Sequence, residues 1–470
     1  MEGLNSLPRR SLMRLSRTPN QSILSRTGFD LAGIQRRLGT KNADRERIVI
    51  LGSGWAGYAA ARTLSPSKTC RVLISPRSHF AFTPLLASTS VGTLEFRAAV
   101  EPVRRLGLDE FHQGWASAID FNNKVVRVEA NERGDVSAAT NQPQVKGEEF
   151  DVKYDRLIIA VGCYSQTFGI QGVKEHAHFL RDVGDARAIR LQILQAFETA
   201  DLPTTPDEER KKLLHFAVVG GGPTGIEFAA ELHDLIKEDL SRMYPGLPGY
   251  CAITVYDIAP KVLPMFDAKL AAYATETFHR QGIRVKTEHH LTRIRRQGRT
   301  LMLQIKEEPE EVGASIVVWS TGLMQNPLDP KTGGIVTNSR LQVQLQPAKG
   351  HPGTETLKDV YAIGDCISVQ GGGYPATAQV ASQQAVYLAK QLNKPQGFSR
   401  PFHFRNWGVM TYLGGWRAIH QSRADNLKGW AAWVLWRTAY LTRSMSLRNK
   451  ILIPVYWAMT WIFGRDISRF

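Results

Sequence analysis

The chain has 470 residues, 43% hydrophobic and 22% charged, which supports two or three domains with buried cores and excludes a disordered protein. Its net charge of +16 asks for an anionic partner or an address label. Residues 1–40 carry a net +5, residues 401–470 a net +8 and the 360 residues between them only +3, unlike the basic stripe across a folded domain that binds nucleic acid.

Residues 1–46 read as a targeting segment. Arg9, Arg10, Arg14, Arg17, Arg26, Arg36 and Arg37 are interleaved with Ser6, Ser11, Ser16, Ser22 and Ser25 against only two acids, Glu2 and Asp30, within the first 40 residues. Such Arg- and Ser-rich, acid-poor composition is the signature of a mitochondrial transit peptide. Leu12, Met13 and Leu15 with the nearby arginines predict a short amphipathic helix. No hydrophobic segment follows before Arg47, so no stop-transfer anchor is expected at this end.

The body then repeats one pattern. Arg47–Leu51 is a buried-strand run followed by Gly52-Ser-Gly54-Trp55-Ala56-Gly57, a helical stretch over Tyr58–Leu64 and a second strand over Arg71–Ile74. His215–Val219, Gly220-Gly-Gly222-Pro223-Thr224-Gly225, a helix over Ile226–Ser241 and a strand over Ala252–Tyr256 repeat it 168 residues later. In each turn the first glycine permits the bend, the second admits a pyrophosphate to the backbone and the third lets helix and strand pack. The helix N-terminus offers oriented N–H groups and partial positive charge to the phosphates. Two such fingerprints, each between a β-branched strand and a helix, predict two bound dinucleotides. Asp257 closes the strand after the second and can accept from an adenosine ribose, favouring NADH over NADPH. It lies 32 residues past Gly225 rather than the usual ~20. A longer helix and the Tyr244–Gly249 loop account for the excess. After the first fingerprint the corresponding residue is Ser75, so an acid is missing there.

Between the fingerprints, Ser75–Leu86 with Val91-Gly-Thr93 resembles the flavin-facing loop of the type II, non-pumping NADH:quinone oxidoreductases. Tyr154–Gly162 and Val317–Gly322 are similar to the two strand-to-glycine linkers of the wider flavin disulfide-reductase-like fold, and Tyr361–Asp365 to its second FAD motif. Ala378-Gln-Val-Ala-Ser-Gln-Gln384 resembles the A-Q-x-A-x-Q-Q signature where nicotinamide, flavin and quinone meet. The resemblance implies an α/β protein with two Rossmann-type domains and a C-terminal amphipathic helical membrane-binding region. It divides the chain into a flavin domain (47–212 and 326–400), an NADH domain (213–325) and a terminal membrane or dimerisation region (401–470). It also implies non-covalent FAD at Gly52, Gly54, Trp55, Ala56, Gly57, Pro76, Arg77, Thr83, Gly162, Gly364, Asp365 and Ala378, with the Asp365 carboxylate on the ribityl chain. NADH is implied at Gly220, Gly222, Pro223, Thr224, Gly225, Glu227, Asp257, Gly322 and Gln384. Glu227, Gln379 and Gln383 take the catalytic positions; a helix puts 379 and 383 on one face, where both amides could point to one ligand. No D-x-D-x-[DN]-G loop is present, so no calcium insert and no metal is expected.

Seven of the ten tryptophans follow residue 400. Trp430, Trp433 and Val434 share one helical face, as do Trp457 and Trp461, with Arg437, Arg443, Arg448 and Lys450 at or between the segment ends. Trp at the interface and Arg or Lys on anionic lipid suit a headgroup layer, so residues 425–470 are expected on an anionic membrane surface. The alternative is a helical hairpin packed onto the core or onto a second subunit, and a homodimer could present paired helices to one membrane. No run reaches the ~18 apolar residues of a spanning helix. The implied reaction passes two electrons from NADH through FAD to ubiquinone at the mitochondrial inner membrane, leaning to the matrix face, without proton pumping. The rival enzyme reading, a sulfide:quinone oxidoreductase, needs a reactive cysteine pair beside the flavin. Cys163 and Cys366 follow flavin motifs, but Cys70, Cys163, Cys251 and Cys366 form no C-x-x-C. A third reading is an apoptosis-inducing-factor-like, NADH-responsive flavoprotein.

Overall fold

The computed structural model describes residues 45–132, 134, 146–325, 334–345, 354–369, 373–394 and 400–469; residues 1–44 of the expected targeting segment lie outside them. The first domain opens with β1 (Glu46–Leu51), α1 (Trp55–Thr63) and β2 (Thr69–Ser75), followed later by β3 (Arg156–Ile159). β1 lies between β2 and β3 and is parallel to both. Ile48, Val49 and Ile50 are fully buried, because a parallel sheet covered on both faces demands a continuous apolar run rather than an alternating one.

The long helix α2 (Val183–Asp201) follows, started by a capping box in which Asp182 and Asp185 exchange side-chain-to-backbone bonds. The second domain repeats the first architecture in a five-stranded parallel sheet. It contains β4 (His215–Val219), α3 (Pro223–Leu235), β5 (Ala252–Tyr256) and β6 (Ile316–Trp319). The helical path of α3 continues through a π-turn over Ile236–Leu240 to Met243, close to the expected end at Ser241. The chain returns to the first sheet after β6, and there β7 (Glu355–Ala362) lies parallel to β3. It then forms α4 (Ala378–Leu392), capped by the Thr377 hydroxyl.

The terminal region is more than helices. β8 (Val409–Gly414), β9 (Arg417–Gln421) and β10 (Asn426–Gly429) form an antiparallel sheet beside α3 before α5 (Trp430–Arg443) and α6 (Leu447–Phe463) make a hairpin. The expected facing of the tryptophans holds in part: Trp430, Val434 and Trp461 are exposed, but two others are not. Trp433 and Trp457 turn inward and sandwich the Arg437 guanidinium at 4.7 and 4.1 Å, so this arginine is not offered to lipid. An aliphatic stripe joins the exposed tryptophans: Leu447, Ile451, Val455 and Met459, at helical spacing on α6, are all exposed. Arg443 and Lys450 do stay exposed, as does Trp461. No described helix is long and apolar enough to cross a membrane.

Two arginines and an asparagine dock the hairpin. Asn449 Nδ2 donates to the Ala98 carbonyl at 3.1 Å, and Arg190 pairs with Asp466 at 3.2 Å. Buried Arg465 donates to Asp239 Oδ2 at 2.6 Å, Glu238 at 2.8 Å and Thr93 Oγ1 at 3.0 Å. Truncating one partner of a buried pair strands the other charge at a cost of about 3–5 kcal/mol. Arg465→Ala is therefore expected to loosen the hairpin selectively, read as lost hydrogen-exchange protection in α5 and α6 while β1 and β4 stay protected.

Candidate functional site: two nucleotide cradles and a buried acid between them

Both glycine-rich turns show one division of labour. A Cβ on Gly57 would fall 1.8 Å from the Gly52 carbonyl oxygen, and one on Gly225 would fall 2.1 Å from that of Gly220. Gly52 and Gly220 themselves adopt φ of +102° and +114°, which only glycine takes without strain. The middle glycines differ: a Cβ on Gly54 or Gly222 meets nothing within 4 Å. A glycine with open space above its Cα, at the start of a helix, fits a pyrophosphate drawn close to the backbone. Both turns therefore fit the dinucleotides that the sequence implies. Ala56 is buried under its turn, while Pro223 opens the first turn of α3 and Thr224 beside it is exposed.

The remaining flavin-side residues gather around the first cradle. Trp55 Nε1 donates to Thr83 Oγ1 at 3.0 Å. The Pro76 carbonyl accepts from Asn131 Nδ2 at 2.8 Å. Arg77 pairs with buried Asp182 at 3.2 Å. At the position without an acid, Ser75 shares a 2.9 Å hydrogen bond with Ser53. Gly162, Gly322 and Gly364 all have positive φ. A Cβ on Gly364 would press to 3.1 Å on that of Ala56, which brings the second flavin motif against the first. Asp365 accepts from the Cys163 thiol at 3.3 Å, and burial raises its carboxyl above the usual range. Ala378 begins α4 just beyond. In the second cradle, Asp257 accepts from the Gly221 N–H and from that of Ala259 at 2.7 Å, so it shapes the glycine turn as well as facing it.

The three glutamines depart from expectation. Gln379 Nε2 donates to the Gly408 carbonyl at 2.7 Å and its Oε1 accepts from Trp407 N–H at 3.2 Å. Gln383 does the same with Arg405, at 2.9 and 3.0 Å. Both amides are thus engaged by the backbone of 405–408, and they fasten that segment to α4 rather than pointing jointly at one ligand. Gln384 is fully buried, with its Oε1 accepting from the Gly364 N–H at 2.7 Å. A side chain with no accessible surface cannot touch NADH in this conformation; it holds the second flavin motif instead.

Glu227 is the group the fold treats most unusually. It is buried on α3, and its Oε1 accepts from Trp436 Nε1 at 3.0 Å and Tyr412 N–H at 3.2 Å. Burial outweighs these bonds and pushes its carboxyl up to about 8, so it holds a proton at neutral pH. An aromatic chain leads from the acid to the flavin cradle. Tyr412 and Trp436 stack at 5.3 Å, Trp436 meets Tyr440 at 4.9 Å, Tyr440 meets Phe82 at 6.3 Å and Phe82 meets Trp55 at 5.0 Å. Tyr412, Trp436 and Tyr440 were missed as site residues, because their apolar spacing reads equally as core or membrane face. The buried acids Glu231 and Asp234, one and two turns beyond Glu227, carried a detectable signal: charged residues on an otherwise apolar helix face.

Two nucleotide cradles, one on a mixed ten-stranded sheet and one on a five-stranded parallel sheet, fit a reductase that takes two dinucleotides. Residues 46–385 match the family described as pyridine nucleotide-disulphide oxidoreductase, and residues 407–466 match the NDH2 C-terminal domain. A Dictyostelium discoideum protein named probable NADH dehydrogenase is 39% identical over 95% of this chain and 96% of its own length. The internal alternative NAD(P)H-ubiquinone oxidoreductase A1 of Solanum tuberosum, named mitochondrial, is 36% identical over 92% of this chain and 89% of its own. The structure of NDH2 from Plasmodium falciparum in complex with NADH superposes with a TM-score of 0.79 at 25% identity, covering 90% of this chain and 100% of that one. The chain belongs to the alternative, type II NAD(P)H–ubiquinone oxidoreductases.

Gly222→Val is expected to fold, since its Cβ enters open space, yet to raise the NADH KM steeply; Gly225→Ala should instead lose folded protein. Flavin content and KM of the two variants check this. Glu227 yields a pH prediction with a defined sign. Its ordinary value is 4.5 and its folded value about 8, so the unfolded chain loses this proton first. The stabilising difference is whole below pH 4.5 and is lost as pH rises to about 8. Across that window Glu227→Gln should show a shallower fall in Tm than the parent protein, measured by calorimetry.

Proposed function

We propose that this flavoprotein oxidises NADH held at the Gly220–Gly225 turn and passes two electrons, through FAD at the Gly52–Gly57 turn, to ubiquinone. When bound, FAD supplies the hydride acceptor and the route to the quinone. The chain's own residues bind, orient and seal. Gly54 and Gly222 would admit the pyrophosphates, and Asp365 would hold the ribityl chain of a bound flavin. Asp257 at the ribose end favours NADH over NADPH. The Trp55–Phe82–Tyr440–Trp436 wall excludes water, and Glu227 stores a proton that quinol formation needs. The observation that carries the reading is this buried acid, bonded by Tyr412 and Trp436 and joined by aromatic contacts to the flavin cradle. Gln379 and Gln383 act by fixing 405–408 beside the site; their loss should slow quinone reduction more than flavin reduction.

The chain works in the mitochondrion on this reading, as the potato relative is named mitochondrial. The finer placement, peripheral on the matrix face of the inner membrane, is proposed with it, as are the domain limits 47–212 and 326–400 for flavin, 213–325 for NADH and 401–470 for docking. The exposed stripe Leu447, Ile451, Val455 and Met459, flanked by exposed Arg443 and Lys450, supports contact with anionic lipid. A homodimer would present paired hairpins to one bilayer. Among the described residues no helix provides a path across the membrane, so the reaction is proposed not to pump protons. Burial pushes the Cys163 and Cys366 thiols each up to about 11, against the reactive thiolate that the sulfide reading needs.

Steady NADH turnover with a short-chain quinone tests the activity; a flavin that reduces once and stays reduced contradicts it. Burial of an aliphatic side chain is worth about 1.5–3 kcal/mol, so Ile451→Asp with Val455→Asp should weaken binding to anionic vesicles about a hundredfold or more. Turnover of soluble quinone by that variant should persist.

A further inference from the structure

The two dinucleotide domains are stitched together by two short strands. Cys163–Ser165, just past the Gly162 linker, pairs antiparallel with Leu323–Gln325, just past Gly322. Gln325 Nε2 then donates to the Ile367 carbonyl beside the second flavin motif at 2.7 Å. His178–Phe179 crosses the other way and joins the NADH-side sheet as an edge strand, parallel to β6. β6 runs on to Ser320, whose hydroxyl donates to the Gly220 carbonyl of the second glycine turn at 3.1 Å.

Two residues past that edge strand, Arg181 and Asp182 turn back onto both flavin motifs. Arg181 Nη2 donates to the Cys163 carbonyl and lies 3.6 Å from its sulfur. The Cys163 thiol in turn donates to Asp365 Oδ2 at 3.3 Å. Asp182 takes the other motif, accepting from Arg77 Nη2 at 3.2 Å. The two residues are themselves held from α2. Asp185 Oδ2 accepts from the N–H groups of Arg181 and Asp182 at 2.9 and 3.1 Å, and Asp182 Oδ1 accepts from the Asp185 N–H at 2.9 Å. Asp182 and Asp185 are buried, so little slack remains at this point.

We infer that Arg181 and Asp182 are positioning residues that set the register of the nicotinamide against the flavin. The inference rests on the NADH and FAD reading above. Arg181 ties chain that has just left the NADH-side sheet to the carboxylate assigned to the ribityl chain. Asp182 ties the same point to Arg77 on the flavin-facing loop. Both act through other side chains, at the seam that a hydride must cross. Burial raises the Asp365 carboxyl, while the Cys163 bond and the Arg181 charge offset part of that rise. A misplacement of about 1 Å costs on the order of a hundredfold in rate, so a slackened clamp acts on the hydride step before it acts on binding.

Stopped-flow bleaching of the holoprotein flavin by NADH gives a limiting rate and an apparent Kd. In Arg181→Gln the limiting rate should fall at least about tenfold, with the apparent Kd held within about threefold. Photochemical reduction of the flavin, which uses no nicotinamide, and its reoxidation by a short-chain quinone should match the parent protein. Arg181→Lys returns the charge and one donor group, so its limiting rate should lie between those of Arg181→Gln and the parent. Bleaching at the parent rate, a change confined to the Kd, equal slowing of photochemical reduction, or Arg181→Lys as slow as Arg181→Gln overturns the inference. If Arg181→Gln fails to retain flavin, Asp182→Asn, which keeps an acceptor for the Asp185 N–H, is read by the same limiting rate under the same criteria. Loss of flavin from both variants also overturns it, since a register device leaves the flavin bound. A parent protein whose bound flavin NADH does not bleach would sink the NADH reading itself, and this inference with it.

Discussion

The arrangement depends on one buried carboxyl. Glu227 belongs to the NADH-side helix, yet both of its hydrogen-bond donors come from the terminal region, 185 and 209 residues away. Charged, it would be costly where it sits; Tyr412 and Trp436 both donate to its Oε1 and offset part of that cost. That single choice fixes α5 against α3, and α5 brings Tyr440 to Phe82 and so to the flavin cradle. The terminal hairpin is therefore part of the site, as well as its outer cover.

The same logic explains why the hairpin carries two kinds of apolar surface. Its inner face is aromatic and polar-tipped, because Trp436 must donate to an acid and Trp433 and Trp457 must hold a guanidinium between them. Its outer face combines the aliphatic stripe of α6 with exposed Trp430, Trp461 and Phe463. Arg465 closes the assembly by bonding Asp239 and Thr93, one on each dinucleotide domain. A strand meander, β8 to β10, fills the space that leads into the hairpin.

The two cradles were legible because their information is local. Glycine positions, β-branched strands and helix starts lie within a few residues of one another, and both β4 and β5 have the bounds read from the sequence. The second flavin motif was similarly compact. The glutamines were not legible in the same way: a motif puts Gln379 and Gln383 on one face but does not reveal that the backbone of 405–408 occupies both amides. Likewise the helical period marks two apolar faces on the hairpin without saying which one meets the acid. Glu227 stood out as an acid after the fingerprint, but its burial depends on chain folded back from 185 residues away. Asp239 was hidden for a different reason, since a π-turn moves it onto a face that α-helical spacing denies it.

The central claim is that the buried acid serves the quinone step and leaves the hydride step to the two cradles. Single-turnover absorbance of the flavin, first with NADH and then with quinone, separates the two in one experiment. The account predicts that Glu227→Gln leaves the bleaching phase close to that of the parent protein and slows the recovery phase at least about tenfold. Equal rates of recovery in both proteins, or a defect confined to bleaching, would contradict it.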